Sequence, residues 1–257
     1  KIRGTQLTIV NAGWVIAPAA SGVVLDLFGF EKVFLVALIF ASLVLVGMLL
    51  FFQRMPHRRR EKTEPFGHTI RTMWSRRELS HPFILSFLLN VFYAWMVIYT
   101  PMYLVSLGIS WTDIGKIFSV MLIPFVLFEY PAGILADRYW GEKEILVIGF
   151  IILSGSTLAL FFIPGAVLWM WAALLFCTRI GASLISVMTD TYFFKQVGKQ
   201  DVALVDLYRN SGPLAYIIAP VIASVLLLVM PMHNLFLVLG IFVLLGVVFS
   251  LRIADTK

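Results

Sequence analysis

The sequence predicts an all-α polytopic membrane protein, and three observations carry that reading. The 257 residues are 60% hydrophobic and only 13% charged, with a mean hydropathy of +0.94. A soluble domain is about half apolar and a quarter charged. The apolar residues fall into runs of the length that spans a bilayer, about 20 residues each. The bases gather between those runs. The net charge of +6 is therefore explained by the positive-inside bias of membrane proteins, and nucleic acid is not an expected partner.

Taken in order, the apolar runs predict eight spans, at 6–25, 33–52, 82–104, 112–136, 144–164, 168–192, 206–230 and 234–252. The connections after the first, third, fifth and seventh are short. The connection after the second is long and polar, carrying Arg54, Arg58, Arg59, Arg60, Lys62, Arg71, Arg76 and Arg77 against Glu61, Glu64 and Glu78. By the positive-inside bias this loop is cytoplasmic. Alternation of spans then puts Lys1 and Arg3, the Asp137–Glu144 turn, Lys195, Lys199 and the tail with Arg252 on the same side. The opposite loops hold few bases, Lys32 and Lys116 among them. Within the loop, Phe66, Ile70, Met73 and Trp74 recur at i, i+4, i+7 and i+8, with Arg71, Arg76 and Arg77 interleaved. Either a short amphipathic helix lies here on the inner leaflet, or a tether carries apolar residues that recur by chance. The domain reading is residues 1–52 as one membrane unit, 53–80 as a basic linker, and 81–257 as a six-span unit.

The first and seventh spans resemble each other. Gly13 to Gly22 and Ala215 to Ser224 both set small residues around an Ala-Pro pair, at Ala17-Pro18 and Ala219-Pro220. Small residues let helices approach, and proline bends a helix. Their separation by six spans suggests a six-helix repeat. Two such halves make twelve helices, of which this chain would hold the last eight. Lys1 falls in mid-pattern, with neither Met nor a signal peptide, so a fragment lacking its N-terminal part is expected.

Other classes find little support. The single Cys177 lies in an apolar run, which gives no disulfide framework and no thiolate metal site. His57, His68 and His81 lack metal-ligand spacing. There is no phosphate-binding loop and no nucleophile–base set with convincing spacing. Neither an enzyme nor a cofactor is expected. Trp111, Trp140, Trp169 and Trp171 stand at span ends, as interfacial anchors do.

Ionisable residues inside a bilayer are costly and are functional candidates by default. Arg179 lies midway along 168–192, Asp190 near the inner end of that span, and Glu129 about two turns above the inner end of 112–136. Arg179, Ser183, Ser186 and Asp190 fall at i, i+4, i+7 and i+11, on one helix face. On 82–104, Ser86, Asn90, Tyr93 and Thr100 also share a face, with Trp95 pointing away. Such stripes are expected to face a cavity or a partner helix. Arg179 is read either as a ligand for a solute anion, or a group that tunes Glu129, or as half of a structural ion pair with Glu129. Glu129 is read either as a proton carrier, since a carboxyl in a dry site can load and unload near neutral pH, or as support for the turn below it.

Two motifs give the chain a resemblance to the major facilitator superfamily of secondary transporters. Gly133, Leu135, Asp137 and Arg138 match the start of that family's cytoplasmic signature, G-x-L-a-D-R-x-G-R-K. Gly141 then comes one residue late, followed by Glu142 and Lys143 where two bases are usual. Gly13, Pro18 and Gly22 match the family's helix 5 motif, G-x-x-x-G-P-x-x-G-G, with Ala17 and Ser21 replacing two glycines. Gly22 to Gly29, with Asp26, also resembles a signature turn. That assignment would put the eight-base loop outside, so it is rejected.

The resemblance implies a two-half bundle that moves a small solute by alternating access. It implies that the two striped helices line a central cavity, with Asn11, Trp14, Asn210 and Tyr216 as further cavity candidates. It also implies a cytoplasmic latch in which Asp190 pairs with Arg138 or Lys143 while Asp137 faces the start of helix 5. The expected activity is proton-coupled export by an antiporter. Proton-coupled uptake of a sugar or organic acid is the alternative within transport, and a non-transporting receptor or scaffold is the alternative outside it. The expected partners are a small-molecule solute, membrane lipid and protons. The expected setting is the plasma membrane, with the chain as a monomer and with its 53–80 loop and C-terminus cytoplasmic.

Overall fold

The computed structural model describes the backbone of residues 2–52, 65–138, 140–198 and 200–253, and the side chains of all of these except 2–12, 52, 130 and 137–138. Among the described residues there are helices and turns and no strand. The helices, in chain order, are α1 (Ile2–Phe52), α2 (Phe66–Ser75), α3 (Arg77–Ser106), α4 (Trp111–Arg138), α5 (Glu142–Leu160), α6 (Leu168–Gln196), α7 (Val202–Arg209), α8 (Ser211–Leu227) and α9 (Asn234–Ser250). Among the described residues six stretches are long and apolar enough to cross a membrane: Gly13–Phe51, Arg77–Ser106, Trp111–Ala136, Glu142–Leu160, Leu168–Gln196 and Val202–Leu227. Asn234–Ser250 is a shorter apolar helix.

Two boundaries differ from the sequence expectation. The runs at 6–25 and 33–52 merge into one helix, broken at Gly29, whose φ of 75° and ψ of 177° are non-helical. Glycine accepts that conformation because it has no Cβ. The seventh run divides at Asn210 into α7 and α8.

α6 is the hub. It packs against α5, α4 and α3, while α9 covers α5 and α3, and α8 covers α3. The core between them is built from Phe92, Phe150, Leu153, Trp171, Leu175, Ile185 and Val243, all fully buried. Trp171 is therefore a core residue and not an interfacial anchor. Its ring packs on Tyr103 and Phe236, and its Nε1–H donates to the Gly165 carbonyl at 3.0 Å. Trp169 is exposed. α3 and α8 are joined by polar links: Trp95 Nε1–H donates to the Ala219 carbonyl at 2.6 Å, and Tyr99 Oη–H to the Pro220 carbonyl at 3.1 Å.

α1 meets the bundle through α4. The two backbones nearly touch at Gly22 and Gly115. A Cβ on Gly22 would run into the Trp111 carbonyl oxygen, and one on Gly115 into the Pro18 carbonyl oxygen. The Ala19 N–H donates to Ser119 Oγ at 3.0 Å. One turn further, Asp26 takes the first backbone N–H groups of α4, from Trp111 at 3.1 Å and Thr112 at 2.7 Å. Ser110 Oγ accepts the next, from Asp113, at 3.1 Å. A helix start leaves its first N–H groups without intrahelical partners, and here three of them are satisfied by side chains.

The Phe66–Trp74 stretch is a helix, α2. Its faces do not divide as the apolar spacing suggests. Met73 is buried with Leu79, Phe193, Leu204 and Tyr208 in a second, smaller cluster, so that side packs on α7. Phe66 and Trp74 remain exposed.

Candidate functional site

α3 and α6 bring their polar stripes to a common space, closed on a third side by the α7–α8 junction. The result is a cavity of about 230 Å³ lined by Ser86, Asn90, Tyr93, Ser186, Asp190 and Tyr208, among others. Polar groups are rare in the rest of this interior, and they converge here because the 3.6-residue period stacks them on one face of each helix.

Asp190 opens into the cavity and accepts a hydrogen bond from Tyr208 Oη–H at 2.7 Å. Tyr208 is held in place by its ring, which lies flat on Phe193 with centroids 3.9 Å apart. Across the cavity, Ser86 Oγ and Ser211 Oγ share a hydrogen bond of 2.9 Å. Asn90 donates Nδ2–H to the Ser86 carbonyl at 2.8 Å, and its Oδ1 lies beside Gly212.

Arg179 is 1% exposed. Its guanidinium carbon sits 5.2 Å from the Phe92 ring centroid and 5.3 Å from that of Tyr93. Its Nε and Nη1 have no hydrogen-bond partner, and neither does Tyr93 Oη nor Thr189 Oγ1. The ion pair with Glu129 expected from the sequence is absent among the described residues. Glu129 is half-buried on α4, and the charge acting on it is that of Asp190, not Arg179. Helix spacing placed both residues at comparable depth, but the tilt of α4 against α6 was not available to it.

Other expected residues separate in the same way. Ser183 spends its hydroxyl on the Ile180 carbonyl of its own helix at 2.9 Å and is not in the cavity wall. Thr100 is buried against Met96 Sδ, away from the cavity. Tyr216 and Trp14 are exposed and line no part of the cavity, while the Asn11 side chain lies outside the described residues. The residues missed in the sequence are Thr189, Tyr208, Arg209, Ser211 and Gly212. Their signal was the polar run Tyr208 to Gly212, which had been absorbed into the start of an apolar span.

The turn between α4 and α5 also differs from expectation. The Asp137 and Arg138 side chains lie outside the described residues. Gly133 is half-buried, and Gly141 forms the N-cap of α5 in an extended conformation. Asp190 does not pair with Lys143: its carboxylate is engaged by Tyr208. The tie between this turn and the end of α6 is instead an ion pair between Glu142 and Lys195. Glu142 is 2% exposed. The acid thus sits on the turn and the base on the helix end, the reverse of the expected order.

The family model for the Major Facilitator Superfamily matches residues 4–205 and 104–257. The chain belongs to the Major Facilitator Superfamily. Members of this superfamily are integral membrane transporters and not enzymes, so the cavity is that of a secondary transporter handling a small solute. No curated protein matched the chain. Within the superfamily chain, the close crossing at Gly22 explains the helix 5 motif residues differently from one another. Gly22 is in backbone contact with α4, Pro18 supplies the carbonyl facing Gly115, and Gly13 has open space around it.

Proposed function

We propose that the chain carries a small solute through the α3–α6–α8 cavity by alternating access, with export driven by protons moving the other way. The observation that carries this reading is the cavity itself: an enclosed polar space holding Asp190, Asn90 and Tyr93 inside an apolar helix bundle. Sites of this kind are where membrane helices keep costly polar groups for function. The reading takes eight crossings from a twelve-helix bundle, with α1 crossing twice about Gly29 and α9 as the last. It places the 53–80 loop and the C-terminus in the cytoplasm of a plasma-membrane protein that works as a monomer.

Glu129 and Asp190 are the acids offered for proton carriage. Both face the interior, and each lies within electrostatic reach of the other. The Glu142–Lys195 pair, with the signature turn at Gly133, Asp137, Arg138, Gly141 and Lys143, is the latch in this reading. The export assignment follows the helix 5 motif. A second direction, uptake of a sugar or organic acid, is favoured by the unpartnered guanidinium of Arg179.

The test is solute flux in proteoliposomes under an imposed pH gradient. Wild-type protein is expected to move solute only while the gradient lasts, and Glu129→Gln to lose at least tenfold of the gradient-driven rate while keeping exchange at equilibrium. Full gradient-driven flux in Glu129→Gln removes that residue from coupling. No flux of any tested solute removes transport itself.

A further inference from the structure

A buried cation requires an acceptor, and Arg179 has none supplied by the described protein. Taking an ion out of water costs several kcal/mol after relaxation, roughly. The Phe92 and Tyr93 faces return only about 0.5–2 kcal/mol as cation–π contacts. The hydroxyl of Tyr93, next to the guanidinium, is also buried with nothing to donate to. Three donors therefore converge, Nε–H and Nη1–H of Arg179 and Oη–H of Tyr93, with no acceptor among them. Tyr93 is part of the cavity wall, so the donors lie directly beyond the space where a solute would sit.

We propose that Arg179 and Tyr93 form the receptor for the carboxylate of a small organic monoacid, whose body occupies the cavity beside Asn90 and Ser186. The inference rests on the reading of that cavity as the solute site. Charge sets the class further. Asp190 is eleven residues from Arg179 on the same helix face, about 16 Å along the axis, and it is already engaged by Tyr208. An acid with a second carboxylate would direct it toward Asp190 and be repelled. A monocarboxylate avoids that repulsion and meets hydroxyl and amide groups along its length.

The experiment uses the purified full chain in detergent and follows unfolding with benzoate, benzamide, succinate and sodium chloride at matched ionic strength. Benzoate is expected to raise Tm by several degrees. Benzamide, which keeps the shape and loses the charge, and chloride should leave it unmoved. Succinate should give less than half of the benzoate shift. Arg179→Met should abolish the shift, and Tyr93→Phe should weaken benzoate binding severalfold. Without ligand, Arg179→Met should melt no lower than wild type, because no protein group loses a partner. Arg179→Lys, which keeps the charge, should fold and bind benzoate more weakly.

Equal shifts with benzamide or chloride, a shift that survives Arg179→Met, or no response to benzoate would overturn the proposal. So would a large fall in ligand-free Tm in both Arg179 variants, which would make the residue structural. Benzoate binding without any flux in proteoliposomes would remove transport and leave the receptor. Flux of a neutral solute without benzoate binding would do the opposite.

Discussion

The α1–α4 contact and the α3–α6 interior handle polar groups in opposite ways. At the start of α4, each of the first three free N–H groups has an acceptor, two on Asp26 and one on Ser110. The Ala19 N–H has Ser119, and the backbones touch at Gly22 and Gly115. Between α3 and α6, Arg179, Tyr93 and Thr189 hold donors with no acceptor. A saturated contact has nothing left to offer a ligand and acts as a joint. An unsaturated one keeps its desolvation cost until something arrives to satisfy it. The contrast teaches which polar residues of a helical membrane protein belong to the fold and which to the solute.

The sharpest way to break that comparison is at the joint. Gly22→Val sets a branched side chain against the Trp111 carbonyl, where backbone and not a mobile side chain obstructs it. Overpacking of this kind costs about 1–3 kcal/mol. The fall should be visible as a lower Tm and lost flux, and an unchanged melt would mean that α1 does not dock there. The next effect is expected at the reversed ion pair. Lys195→Met leaves Glu142 buried without that partner, at a cost of about 1–2 kcal/mol given the half-exposed lysine. Exchanging the two, Glu142→Lys with Lys195→Glu, should recover most of the loss in a double-mutant cycle, and no recovery would rule out a direct tie. The smallest effect is expected at the cap. Asp26→Ala frees two N–H groups at a site open to water, which can replace the carboxylate in part. Its Tm should fall less than that of Gly22→Val, with benzoate binding retained. Loss of benzoate binding there would blur the line between joint and site.

Much of the fold was legible before the structure, because hydrophobic run length is a one-dimensional signal. The starts of α4, α6 and α9 fall within a residue of the expected spans. The stripe on α6 was legible for the same reason, since period alone puts Ser186 and Asp190 on one face, and both line the cavity. What period does not contain is helix tilt and rotation. Ser183 shares that face and turns its hydroxyl back to Ile180. Arg179 and Glu129 lie at similar depth and still do not meet. Trp171 stands at a span end and is nevertheless core, because the Gly165 turn folds back against it.

The sequence by itself determined that this chain is helical, that it lives in a membrane, and that it resembles the superfamily to which it belongs. Those properties follow from composition, run length and short motifs, which need no knowledge of packing. Only the tertiary structure decided which polar groups find partners. Satisfaction of a buried donor depends on the distance and angle to an atom on another helix, and no spacing within one helix fixes that. Asp26 became a helix cap, Asp190 a partner of Tyr208 and Arg179 a cation without an anion through the crossing geometry of α1, α3, α4, α6 and α8.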